Sequence, residues 1–95
     1  MYVLDTWMSK LWQYQNGQWK EIDRGVKDFL PVLDGKSVWI LKKDNTLVDQ
    51  NGTVYLDNVD GLYTNEKLFD EGMAISNGKV FALKTDGIKE IFSLE

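Results

Sequence analysis

The sequence predicts an all-β protein, an antiparallel meander of about ten to twelve short strands forming one domain over residues 1–95. Three observations predict it. The first is recurrence: residues 37–47 read SVWILKKDNTL, 53–63 read TVYLDNVDGLY and 79–88 read KVFALKTDGI. Val38, Val54 and Val80 open these runs, Trp39, Tyr55 and Phe81 follow, and Asp44, Asp60 and Asp86 stand six places after each Val. The second is a dense series of turn pairs, Asn16-Gly17, Asp34-Gly35, Asn51-Gly52, Asp60-Gly61 and Asp86-Gly87. Gly, Asn and Asp readily supply the positive φ that tight hairpins need. The third is that no stretch holds a helical period, and Leu62–Glu71, the least strand-like piece, is too short and Gly-bounded for a stable helix.

Turns as punctuation give the elements in order. Tyr2–Met8 and Lys10–Gln15 form a first hairpin, and Asn16-Gly17 turns the chain into Gln18–Asp23. Arg24-Gly25 leads to Val26–Leu33, Asp34-Gly35 to Ser37–Lys43, Asp44-Asn45 to Thr46–Gln50, and Asn51-Gly52 to Thr53–Asn58. Beyond Asp60-Gly61 come Leu62–Thr64, Lys67–Asp70, Met73–Ser76, Lys79–Lys84 and Ile88–Leu94. Links this short predict that successive strands pair throughout as antiparallel neighbours. Val38-Trp39-Ile40-Leu41 is apolar on both faces, which predicts small sheets stacked so that a middle strand is covered twice. Leu11-Trp12-Gln13-Tyr14-Gln15 alternates, as a strand nearer an edge or rim does.

The repeat is irregular. Val3, followed six places later by Ser9-Lys10 and then Leu11-Trp12, is a degraded copy, and KEIDRGV at 20–26 matches KLFDEGM at 67–73. Repeated short strands point to a propeller, a solenoid or a similar array. The order LWQYQNGQW, KEI, a Gly, an apolar strand and DGKSVW resembles the blades of tectonin and tachylectin-2-like β-propellers, best over residues 11–47 and loosely again over 61–88. Trp19 and Ile22 fill the Trp-to-aliphatic step, Gly25 the corner, and Gly35, Val38 and Trp39 the blade strand; in the second copy Glu66 takes the Trp place. The resemblance implies propeller-like blades and an incomplete ring, since propellers need about four to eight four-stranded blades. Two copies of this chain would supply about six. It also implies carbohydrate or cell-surface ligands held between blades.

Composition narrows the chemistry. Ninety-five residues make a modest core for which a partner subunit would help. Cysteine and histidine are both absent, which removes disulfides, thiol chemistry, the commonest general base and the commonest transition-metal ligand. Neither a cofactor nor a metal is expected. A net charge of −4 argues against duplex nucleic acid, whose binding is dominated by phosphate neutralisation. The first residues do not read as a signal peptide, and no run approaches the roughly 20 apolar residues of a membrane span. The compartment stays open, with the balance towards the cytoplasm.

Several motifs read as structure. Asp34-Gly35-Lys36-Ser37 has the end of a phosphate-binding loop, but Leu30 replaces the first glycine and Pro31 spoils the cradle, so a hairpin turn is expected. Asn51-Gly52-Thr53 matches a glycosylation triplet and reads as a type I′ turn. Asp57-Asn58-Val59-Asp60-Gly61 departs from a calcium loop at Val59. The Asp and Glu side chains fall in turns and strand ends, where solvation accounts for them, and Lys42-Lys43 reads as a soluble strand end. Trp39, Tyr55 and Phe81, at one repeated position, are expected in the core.

Trp7, Trp12, Tyr14 and Trp19 break that pattern and are interleaved with Gln13, Gln15, Asn16 and Gln18. Aromatic faces beside amides suit sugars or a protein partner. The expected ligand-binding residues are therefore Trp12, Tyr14, Trp19, Gln15 and Asn16. The expected function is a non-enzymatic, lectin-like binding module that acts as a homo-oligomeric ring, most simply a dimer, with a carbohydrate or protein ligand. The alternative is a small acidic inhibitor of the phage-borne type, or a sequestering protein that blocks a macromolecule or binds a small ligand.

Overall fold

The computed structural model describes residues 1–31, 37–64, 72–84 and 87–93. These hold eleven strands and no helix. Sheet 1 contains β1 (Tyr2–Asp5), β2 (Lys10–Gln15) and β3 (Gln18–Arg24). Sheet 2 contains β4 (Val26–Pro31), β5 (Val38–Lys42), β6 (Leu47–Val48) and β7 (Val54–Leu56). Sheet 3 contains β8 (Val59–Thr64), β9 (Gly72–Ser76), β10 (Lys79–Lys84) and β11 (Gly87–Ser93). Every sheet is antiparallel and pairs sequence neighbours, so the all-β prediction holds.

Turn chemistry explains the hairpins. Asn16 and Gly17 (φ 55° and 78°) and Asn77 and Gly78 (φ 52° and 75°) give the paired positive φ of type I′ turns. At Asn51-Gly52 only Gly52 is left-handed, so this turn is not type I′. Asp49 holds it instead: its Oδ1 accepts the N–H groups of Asn51 (2.9 Å) and Thr53 (3.1 Å).

Two short links do not make hairpins, which corrects the continuous meander. Gly25 (φ 63°) passes the chain from sheet 1 to sheet 2, and the pair Asp57-Asn58 passes it from sheet 2 to sheet 3. Backbone groups at both crossings are satisfied across the junction. Val26 N–H donates to Ser9 C=O (2.9 Å), Lys43 N–H to Gly25 C=O (2.9 Å), and Val59 N–H to Asn45 C=O (2.8 Å). Lys42 ties the first junction further, donating to Asp23 Oδ1 at 2.7 Å and to the Arg24 carbonyl.

Asp60-Gly61 is likewise not a turn. Both residues lie inside β8, where the register with β9 shifts between Val59 and Gly61 as a bulge. A Cβ on Gly61 would sit 2.9 Å from the Tyr63 hydroxyl, so the glycine lets the Tyr63 ring lie over the strand and does not mark a turn. The expected Asp34-Gly35 turn, the strand Lys67–Asp70, and Asp86 of the last turn pair lie outside the described residues.

The core forms two layers, one on each face of sheet 2. Val38 and Ile40 of β5 join Leu11, Val26 and Val48 between sheets 1 and 2. Trp39 and Leu41, from the opposite face of the same strand, join Leu47, Val59, Ala74 and Leu83 between sheets 2 and 3. Val38 to Leu41, four of the five β5 residues, are buried, as their doubly apolar run predicts. On β9 the residues facing sheet 2 are small, Gly72 and Ala74, because the sheets approach closely: a Cβ on Gly72 would lie 1.7 Å from Leu30 Cδ2.

Candidate functional site

Sheet 1 turns its second face to solvent. Antiparallel register sets Val3 opposite Trp12 and Trp12 opposite Glu21, with Tyr14 opposite Trp19, so these side chains share the face turned away from sheet 2. Val3, Asp5, Trp12 and Trp19 line an open concavity of about 340 Å³. Trp12 is half-buried, while Trp19 is 51% and Tyr14 40% exposed. The Tyr14 and Trp19 rings pack at 5.0 Å with a 56° tilt, which fixes the Trp19 wall.

The charges on this face are internally occupied. Glu21 takes an ion pair from Lys10 (3.7 Å) and another from Arg24 (3.0 Å). Asp5 Oδ1 accepts the N–H groups of Trp7 (3.0 Å) and Met8 (3.2 Å), fixing the turn that carries the 91% exposed Trp7.

The predicted aromatics thus come together, whereas the predicted amides separate from them. Gln15 pairs with Gln18, one residue on from the Tyr14–Trp19 pair, so both leave the opposite face of the hairpin. Gln13 does the same and donates to Tyr2 Oη at 3.4 Å. Asn16 is exposed at the hairpin tip, and its positive φ gives it a backbone role in the turn.

A second concavity, of about 400 Å³, lies between β7 and the β9–β10 hairpin. Tyr55, Asp57, Ser76, Asn77, Lys79 and Phe81 line it. Sequence reasoning assigned Tyr55 and Phe81 to the core with Trp39. Trp39 is buried, but Phe81 is only partly covered and Tyr55 is 42% exposed. Trp39 meets Tyr55 edge-on, at 5.0 Å and 81°, and its buried indole N–H has no acceptor among the described residues.

Polar bonds shape this cleft. Asn58 Nδ2 donates to Asn77 Oδ1 (3.1 Å), joining the sheet 2 to sheet 3 link to the β9–β10 turn. Ser76 Oγ donates to Asp57 C=O (2.5 Å), and Lys79 pairs with Glu90 (3.4 Å). The Tyr55 hydroxyl donates to Asp49 Oδ2 (3.0 Å), which raises its pKa above the ordinary 10.0 because ionisation would break that bond beside a carboxylate. Asp44, in the β5–β6 turn, is lowered below 3.8 by the Thr46 hydroxyl and N–H that donate to it. Asn58 and Asn77 were the available sequence signal for the cleft, as asparagines that accept positive φ.

Among the described residues no group of three or more acidic side chains is arranged to hold a metal, and no helix is long and apolar enough to cross a membrane. Compared with protein-family models, curated proteins and solved structures, the chain gives no significant match.

Proposed function

We propose that this protein is a non-enzymatic binding module that takes a protein partner on the aromatic face of sheet 1 and works as a ring-forming oligomer of propeller-like blades. One observation carries the reading: Trp12 and Trp19 wall an open apolar hollow with Val3, while Gln13, Gln15 and Gln18 leave the other side of the hairpin. Exposed tryptophans concentrate binding energy when a partner desolvates them. A carbohydrate fits this face less well, since its hydroxyls would meet rings and already occupied carboxylates instead of amides. The absence of histidine and cysteine from the chain agrees with a binding role.

The test pairs affinity with stability. Trp12→Ala and Trp19→Ala should weaken binding on a protein array by about 2 kcal/mol or more while melting little below the parent. Normal binding by both variants would refute the assignment, and selective loss of binding on a glycan array would return the face to sugars.

A second reading rests on the cleft between sheets 2 and 3, where the Tyr55 and Phe81 rings stand beside Asp57, Asn77 and Lys79. This mixture suits a small polar ligand with a flat or apolar body and supports a sequestering protein. Thermal-shift screening of small metabolites against the parent and Asp57→Ala decides it: a stabilising ligand lost in the variant supports sequestration, and none argues against it.

A further inference from the structure

We infer that the occupant of the sheet 1 aromatic face is sheet 3 of a second copy of this chain, the contact being repeated by two-fold symmetry so that both ends of the stack are covered. The inference rests on reading that face as protein-binding, and the repetition of one junction within the chain supports it. The residues that sheet 1 presents to sheet 2 include the facing pair Leu4 and Leu11 with Ile22, the extra residue of the β3 bulge. Sheet 2 presents to sheet 3 the row Leu41, Leu47 and Leu56, set opposite one another in register. Sheet 3 carries the corresponding row Ile75, Val80 and Phe92, also in register, on its face away from sheet 2. In the first two sheets this row is covered by the next sheet. In sheet 3 Ile75 and Val80 are half-buried, Phe92 at one edge of the row is 58% exposed, and Tyr63, on the opposite edge strand β8, is 47% exposed.

The turn before the row repeats too. Ser9 and Asn45, both left-handed, offer their carbonyls to Val26 and Val59, the first residues of the next sheet. Asn77, also left-handed, lies in the corresponding turn, between β9 and β10, three residues before Val80, where Ser9 and Asn45 stand two before Leu11 and Leu47. An apolar face that continues a series of stacked sheets is completed by another sheet, and sheet 1 offers the other uncovered apolar face of the stack. Lys89 lies on the sheet 3 face, in register with Ala82, and Asp5, whose Oδ1 takes the Trp7 and Met8 N–H groups, keeps its negative charge at the border of the sheet 1 hollow. Glu21, which shares the sheet 1 face, is already paired with Lys10 and Arg24, so closure strands no charge there. A sheet 3 to sheet 1 contact made twice closes on itself as a dimer, whereas one made once would propagate as a fibre.

The experiment uses sedimentation of Trp19→Lys, Phe92→Lys and a control, Val54→Lys, with circular dichroism to verify the fold. Both interface residues are more than half exposed within one chain, and Tyr63→Lys replaces Phe92→Lys if the latter unfolds. Each interface variant should raise the dimer dissociation constant roughly 30-fold or more, and Val54→Lys should leave it unchanged. Mixing Trp19→Lys with Phe92→Lys should restore association beyond either alone, since the mixed pair keeps one unaltered junction. A parent that stays monomeric, a dimer insensitive to Phe92→Lys, or a mixture that gains nothing overturns the inference. Sensitivity to Trp19→Lys alone would overturn it while keeping the aromatic face as a protein-binding surface.

Discussion

Val59 donates its backbone N–H to the carbonyl of Asn45 at 2.8 Å, across the junction between the second and third sheets. The bond depends on Asn45 holding φ at 68°, a conformation that costs most side chains about 1–2 kcal/mol. Asn45 Oδ1 also accepts Lys27 Nζ at 2.5 Å, so one turn residue holds β4 and β8 together.

Asn45→Val should therefore lose about 1–2 kcal/mol of unfolding free energy, whereas Asn45→Gly, which keeps the left-handed turn, should lose less. Urea denaturation compares them. Equal losses would place the effect in the side-chain bond to Lys27 rather than in the backbone conformation.

Trp39 and Trp19 should separate stability from binding. Trp39 is 6% exposed and lies at the centre of the layer between sheets 2 and 3, so Trp39→Ala should cost about 3–5 kcal/mol and lower the melting temperature steeply. Trp19→Ala, on an open face, should shift melting far less. If both variants melt alike, the Trp19 ring is part of the core.

The stacking and the aromatic face were legible in the sequence, because both follow from alternation. Val38-Trp39-Ile40-Leu41 has no polar face to turn outwards, and Trp12 and Tyr14, two residues apart, must share a side. The same alternation places Gln13 and Gln15 on the other side, so the parting of amides from rings was readable as well. The sheet boundaries were not. A single Gly25 and the pair Asp57-Asn58 look like hairpin links, and only the partners of Val26 and Val59 show that the chain changes sheet there. Asp60-Gly61 misled for a similar reason: Gly61 lies beneath the Tyr63 ring within β8, a contact that local sequence does not reveal. The second cleft depends on how sheets 2 and 3 meet, and its lining comes from separate hairpins.

Alkaline titration should single out Tyr55. Its pKa lies above 10.0, so its bond to Asp49 contributes stability that is complete below pH 10.0 and is lost as pH rises through the folded-state value. The ultraviolet difference between parent and Tyr55→Phe should show a phenol ionising later than an ordinary tyrosine, and Asp49→Asn should bring it back towards 10.0. No change in Asp49→Asn would contradict the bond.

Asp44 gives the opposite sign. Its lowered pKa makes the Thr46 bonds fully stabilising above pH 3.8 and progressively lost as pH falls through the folded value. Thr46→Val should raise the Asp44 pKa towards 3.8 in a carboxylate titration followed by nuclear magnetic resonance. An unmoved Asp44 would mean that the backbone N–H alone holds it.

As proposed, the two ends of one stack, Trp12 and Trp19 on sheet 1 and Ile75, Val80 and Phe92 on sheet 3, meet between copies of the chain. Light scattering coupled to size exclusion at micromolar concentration tests it most directly. A paired stack should elute as a discrete species of twice the 11.0 kDa chain mass. A single species at 11.0 kDa across the concentration range would contradict it.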